Sequence, residues 1–99
     1  MKVVITGAAG QISYSLIPFL CEKGIFNSEE KLDLALVEIP GAMERLDGFV
    51  KELEDSAYST VNSISTYDNI QDAVVDADWC LLVGSIPRGI VLNGKEIKE

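Results

Sequence analysis

Seven consecutive residues, Gly7-Ala8-Ala9-Gly10-Gln11-Ile12-Ser13, have the types and spacing of an anion-holding turn. The glycines let the backbone turn tightly and approach a ligand, while Ala8 and Ala9 keep the turn small. Helical spacing follows, so the unpaired N–H groups and positive dipole end of a helix would face the turn. Between a strand and a helix, such a turn suits a pyrophosphate. Glu38 ends the next strand-like run, where a carboxylate can accept hydrogen bonds from both hydroxyls of an adenosine ribose. It would also repel a 2′-phosphate, favouring NAD over NADP. The plainer alternative is a strand-to-helix turn that needs glycine for a positive φ and binds nothing, with Glu38 a chance surface acid.

Bringing the turn and the acid together requires adjacent strands. Lys2–Thr6 is a β-branched run ending at Gly7, the pattern of a buried parallel strand. The spacing of Ile12, Leu16, Phe19 and Leu20 predicts a helix from Gln11 to about Lys23, stopped at Gly24 and kinked or broken at Pro18. Polar residues 27–31 form a loop before a second strand over residues 32–39 that finishes at Pro40. Met43, Leu46, Phe49, Val50, Leu53 and Ala57 mark the inner face of a helix over 42–57. A weakly alternating strand over 60–66, a short helix over 70–75 and an apolar strand over 79–84 complete the pattern. This alternation predicts an α/β fold with a parallel sheet and right-handed crossovers. The polar tail after Asn93 is too short to organise on its own.

Ninety-nine residues allow one compact domain. Sixteen acidic residues against eight basic ones give a net charge of −8, which disfavours nucleic acid as a partner because counterion release requires clustered Lys and Arg. No run approaches the ~20 apolar residues of a membrane span. Glu44, Asp47, Glu52, Glu54 and Asp55 crowd one segment and fit a solvated helix face better than a site. Cys21 and Cys80 lack CxxC spacing and the chain contains no His, which excludes zinc ligation. Both cysteines read as buried thiols, and with no signal-peptide pattern at the start a reducing, cytoplasmic setting is expected.

The string Ile5-Thr6-Gly7-Ala8-Ala9-Gly10-Gln11-Ile12, then Tyr14-Ser15-Leu16, resembles the opening of cytosolic-type NAD-dependent malate dehydrogenases. The likeness continues through Leu36-Val37-Glu38-Ile39-Pro40, Leu46-Asp47-Gly48, Glu52-Leu53-Glu54-Asp55-Ser56-Ala57 and Leu82-Val83-Gly84-Ser85-Ile86-Pro87-Arg88. Several blocks in order are more specific than any single glycine motif. The resemblance implies the first half of a Rossmann-type, doubly wound NAD-binding domain, with strand order 3-2-1-4 over residues 1–88. The fourth strand would then be an edge whose apolar Trp79-Cys80-Leu81-Leu82-Val83 run invites self-association.

The same resemblance implies that Gly7, Ala8, Ala9, Gly10, Gln11, Ile12 and Ser13 surround the pyrophosphate of NAD and that Glu38 takes the ribose. Arg88 would clamp a carboxylate of a dicarboxylate substrate, malate or oxaloacetate, because a guanidinium fork matches a carboxylate in two hydrogen bonds. A solvated loop charge is the bland alternative for Arg88. The 42–57 helix would lie at a homodimer interface. Glu38 stands where Asp is usual and Ser13 where Gly or Ala is usual. Residues 89–99 diverge as a loop or tail, placing Gly94 where a second substrate Arg is expected, which leaves substrate preference open.

Oxidising a 2-hydroxy acid needs a group that moves the hydroxyl proton near neutral pH. In the family a His paired with an Asp does so, in the portion after the nucleotide-binding strands. No catalytic residue is therefore assigned within these residues. The chain is read as an N-terminal fragment, inactive alone. Two alternatives stand beside this reading: a noncatalytic nucleotide-binding module, and a fragment of an extended short-chain reductase or epimerase, whose opening also runs strand, Thr-Gly-Ala-Ala-Gly, helix.

Overall fold

The computed structural model describes residues 1–23, 31–83, 90–92 and 95–97. Strand β1 (Lys2–Thr6) leads into helix α1 (Gln11–Lys23), then β2 (Leu32–Val37), a 3-10 turn (Pro40–Ala42) and α2 (Met43–Ser56). Strand β3 (Val61–Tyr67), the single turn α3 (Ile70–Ala73) and β4 (Trp79–Leu82) follow. Four parallel strands form one sheet in the order β3-β2-β1-β4, as expected. The expected helix stop at Gly24, most of the 27–31 loop, Arg88 and Gly94 lie outside the described residues.

Continuous apolar sequence makes β1 the centre: Val3, Val4 and Ile5 are fully buried, which requires cover on both faces of the sheet. On one face Val3 and Ile5 join Leu34 and Leu36 of β2, Ile17, Leu20 and Cys21 of α1, and Leu46, Phe49 and Leu53 of α2. On the other, Val4, Ala35 and Val37 meet Ile70 and Ala73 of α3, with Tyr67, Val74 and Ala77 packed at the margin among the described residues. Cys21, deep in the first layer, has its thiol pushed up to about 11 by burial. The Thr60 hydroxyl ties α1 to the loop before β3 by donating to the Cys21 carbonyl at 2.6 Å.

Several details correct the sequence reading. Helix α1 buries Ser13, Ile17, Leu20 and Cys21, whereas Ile12 is 69% and Phe19 49% exposed. The apolar positions of α1 therefore extend beyond its buried face, which lies toward the sheet. Of the kink or break expected at Pro18, the break does not occur: the helix is continuous from Gln11 to Lys23. The missing N–H there would have met the carbonyl of Tyr14, an exposed residue, so water can serve that acceptor. Cys80 is exposed, not buried, because β4 is an edge of the described sheet on the thinly covered side. Beyond residue 89 the expected unorganised tail contains two short antiparallel strands, β5 (Ile90–Leu92) and β6 (Lys95–Ile97). The intervening Asn93-Gly94 pair is a strong hairpin signal that the sequence reading passed over.

Side chains lock the strand starts. Asp78 accepts from the Lys2 backbone N–H at 2.8 Å while its own N–H donates to the Lys2 carbonyl at 2.9 Å, fixing β4 against β1. The Lys2 ammonium donates to the Val75 carbonyl at 2.7 Å and lies 5.6 Å from the centre of the Tyr67 ring. Where the β2–β3 register shifts between Leu32 and Asp33, the Asp33 carboxylate accepts from Asn62 Nδ2 at 2.8 Å and Ser63 Oγ at 2.7 Å. These two donors hold the Asp33 carboxyl below its ordinary value of 3.8, with a small further contribution from the nearby N-terminus.

Two outcomes follow. Because the folded Asp33 value is lowered, its stabilisation is present in full above the unfolded value and fades as pH falls through the folded one. Asp33→Asn should therefore flatten the acid limb of a pH-dependent melting series while leaving the neutral limb parallel to wild type. Ala57 ends α2 in the left-handed region, at φ 50 and ψ 49, where an L side chain is strained. Ala57→Gly should raise stability in denaturant titration by about 0.5–1 kcal/mol after the added unfolded-state entropy is counted.

Candidate nucleotide-binding site

The β ladders run one step past the strand ends, and that extension builds the site. Ala8 N–H donates to the Val37 carbonyl at 3.1 Å, and Glu38 N–H to the Tyr67 carbonyl at 3.1 Å. The turn after β1 and the acid after β2 are thereby fixed side by side at the carboxyl edge of the sheet, where open α/β folds bind ligands. Gly7 has φ 63, which favours glycine. Its carbonyl receives the Gly10 N–H at 3.0 Å, and a Cβ on Gly10 would stand only 3.2 Å from that oxygen. Both glycines therefore have a local backbone reason.

Glu38, half-buried, has one carboxylate oxygen on the Ala9 N–H and the other on the Ile39 N–H, each at 3.0 Å. The carboxylate thus touches the glycine turn directly, a contact that sequence spacing could not give. A carboxylate offers about four acceptor positions, so two are left for further donors. Helix α1 opens above the turn: Tyr14 N–H is bonded to the Gly10 carbonyl at 2.9 Å. The N–H groups of Gln11, Ile12 and Ser13 precede it and have no carbonyl one turn back within the helix. These donors, the adjacent Gly10 and the Glu38 acceptors match the charge pattern of a dinucleotide, pyrophosphate at one end and ribose hydroxyls at the other.

The seven turn residues do not present themselves alike. Gly10, Gln11 and Ile12 are exposed, Gly7 and Ala9 half-buried, and Ala8 and Ser13 fully buried. Ala8 therefore anchors the turn through its backbone, and the Ser13 hydroxyl points back to the Gly7 carbonyl at 2.9 Å. Thr6, just below the turn, has a buried hydroxyl without a hydrogen-bond partner among the described residues.

Among the described residues, the titratable groups near the turn are held in packing and hydrogen-bonding roles. Tyr14 packs on Phe49 with ring centroids 5.1 Å apart, and its hydrogen bond to the Glu52 carboxylate raises the phenol above its ordinary value. Burial raises the Cys21 thiol and partial desolvation at the sheet edge raises that of Cys80, so neither is a thiolate near neutral pH. Glu44, Asp47, Glu52, Glu54 and Asp55 are all exposed along α2, the solvated face expected from their spacing.

Comparison with known proteins agrees with this geometry. The family described as lactate/malate dehydrogenase, NAD binding domain, matches residues 1–93. The chain is 45% identical over 89 residues to a malate dehydrogenase of Magnetococcus marinus, an alignment covering 90% of this chain and 27% of that protein. It superposes with a TM-score of 0.81 on a malate dehydrogenase from Naegleria fowleri, at 33% identity over 97% of this chain and 28% of that one. A Trichomonas vaginalis lactate dehydrogenase in complex with NADH and oxamate gives a TM-score of 0.77 at 37% identity, over 87% of this chain and 26% of that one. The chain thus spans about a quarter of the length of these relatives. The short-chain reductase alternative has no place beside a match of this extent. With its parallel sheet, glycine turn and neighbouring acid, the chain belongs to the lactate/malate dehydrogenase family, and residues 1–93 are its NAD-binding domain.

Proposed function

We propose that these residues hold NAD for a malate dehydrogenase of the cytosolic type, with the hydride transfer between NAD and malate or oxaloacetate belonging to the whole protein. The observation that carries this reading is the Glu38 carboxylate on the Ala9 N–H at 3.0 Å, which puts a ribose acceptor and a phosphate turn in one site. Backbone N–H groups of Gln11, Ile12 and Ser13 face the pyrophosphate, with Gly7 through Gly10 shaping the cradle. Glu38 accepts from the ribose hydroxyls with its remaining acceptor positions. Bound NAD supplies the hydride acceptor. The hydroxyl proton needs a base from outside these 99 residues, which contain no His.

Malate as substrate rests on the 45% identical relative and on Arg88, whose guanidinium suits a substrate carboxylate. Gly94 at the position of a second Arg, together with the lactate dehydrogenase neighbours, keeps a smaller 2-hydroxy acid as the second reading. A homodimer through α2 is consistent with Gly48, an exposed mid-helix glycine whose Cβ would meet nothing within 4 Å. Such a glycine costs a helix about 1 kcal/mol and leaves room for a second chain to approach. We place the protein in the cytoplasm, in keeping with its two free cysteines and to be checked by cell fractionation.

Calorimetric titration tests the cofactor assignment. NAD should bind about tenfold or more tightly than NADP, a gap of at least about 1.4 kcal/mol, and Glu38→Gln should weaken NAD and narrow that gap. Equal affinity for the two nucleotides would remove Glu38 from the ribose. In the whole dehydrogenase, Arg88→Gln should raise the KM for malate at least about tenfold through loss of a charged, bidentate contact. An unchanged KM would return Arg88 to the solvated-charge reading.

A further inference from the structure

The most deeply buried polar side chain at the site is Ser13, fully shielded from solvent within the first turn of α1. A helical Ser ordinarily bonds to a carbonyl three or four residues back. Here the hydroxyl reaches six residues back, across the whole turn, and donates to the Gly7 carbonyl at 2.9 Å. That same oxygen takes the Gly10 N–H at 3.0 Å and sits 3.2 Å from where a Gly10 Cβ would be. Gly7 is also the left-handed residue on which the turn pivots, at φ 63. One carbonyl therefore collects both internal restraints of the cradle, one from the backbone and one from a side chain.

We infer that Ser13 is a positioning residue for the phosphate cradle: its hydroxyl fixes the Gly7 peptide and so presets the helix-start N–H groups toward a pyrophosphate. The inference rests on the NAD-binding reading and assigns the Ser13 side chain a role distinct from contact with the nucleotide. Preorganisation of this kind acts on affinity by removing the cost of ordering the turn when the anion arrives. Glu38 restrains the turn from its other side through Ala9, so removing the Ser13 hydroxyl loosens the turn without unmaking it.

The test compares wild type, Ser13→Ala and the exposed control Ser15→Ala by titration with NAD, ADP-ribose and adenosine. Ser13→Ala should bind the two pyrophosphate ligands roughly fivefold more weakly, bind adenosine as wild type does, and show faster hydrogen exchange at the Gly10 amide. Ser15→Ala should match wild type throughout. Unchanged NAD and ADP-ribose affinity in Ser13→Ala would overturn the inference and leave the NAD reading standing. Equal weakening of all three ligands would also overturn it, reducing Ser13 to a general packing role. A wild-type chain that binds none of the three would overturn the NAD reading and this inference together.

Discussion

The parallel pairing of β1 with β2 is the constraint on which the site depends. Its register sets Thr6 opposite Val37, and the ladder then continues through the Ala8 N–H to the Val37 carbonyl. A slip of one residue would send every side chain of the strand to the opposite face and shift the acid by about 3.3 Å along the strand. The Glu38 to Ala9 contact would be lost with it. The register is strongly specified because β1 and β2 are buried on both faces and exchange their apolar sets with two different layers.

Those two layers are unequal. Helices α1 and α2 cover one face with a contiguous core, while among the described residues a single turn of helix meets the buried residues of the other. On the thinly covered face Cys80 and Leu82, in register with Val4 and Thr6, are exposed, while Trp79, in register with Val3, is about half exposed because β4 is an edge of the described sheet. The glycine turn sits at the end of the best-packed strand, so the part of the molecule that must hold a fixed shape draws on its most buried element.

Within the turn, restraint comes from few groups used more than once. The Gly7 carbonyl takes a backbone and a side-chain donor, and the Glu38 carboxylate takes two backbone donors. Each bond is worth little by itself, of the order of 1 kcal/mol, but together they fix a turn whose two glycines would otherwise leave it free. The acids of α2 lie on its exposed face and take no part in the turn.

Much of this was legible in the sequence because hydrophobic period and glycine placement are local signals. The apolar runs of β1, β2 and β4, the α2 stripe and the turn at Gly7 were read directly, and the strand order followed from the family resemblance. Local signals ended where burial depends on what lies opposite. Nothing in the 3.6-residue period said that Ser13 rather than Ile12 would face inward, since the inward direction of α1 is set by the sheet beneath it. Cys80 carries the same signal as Cys21, yet one lies at an edge and the other on the buried face of α1. The sequence by itself determined the elements, the turn and the presence of an acid after β2. Only the tertiary structure decided that the acid grips the turn and that a buried serine braces it, because both contacts join backbone groups whose approach is fixed by strand register and helix packing.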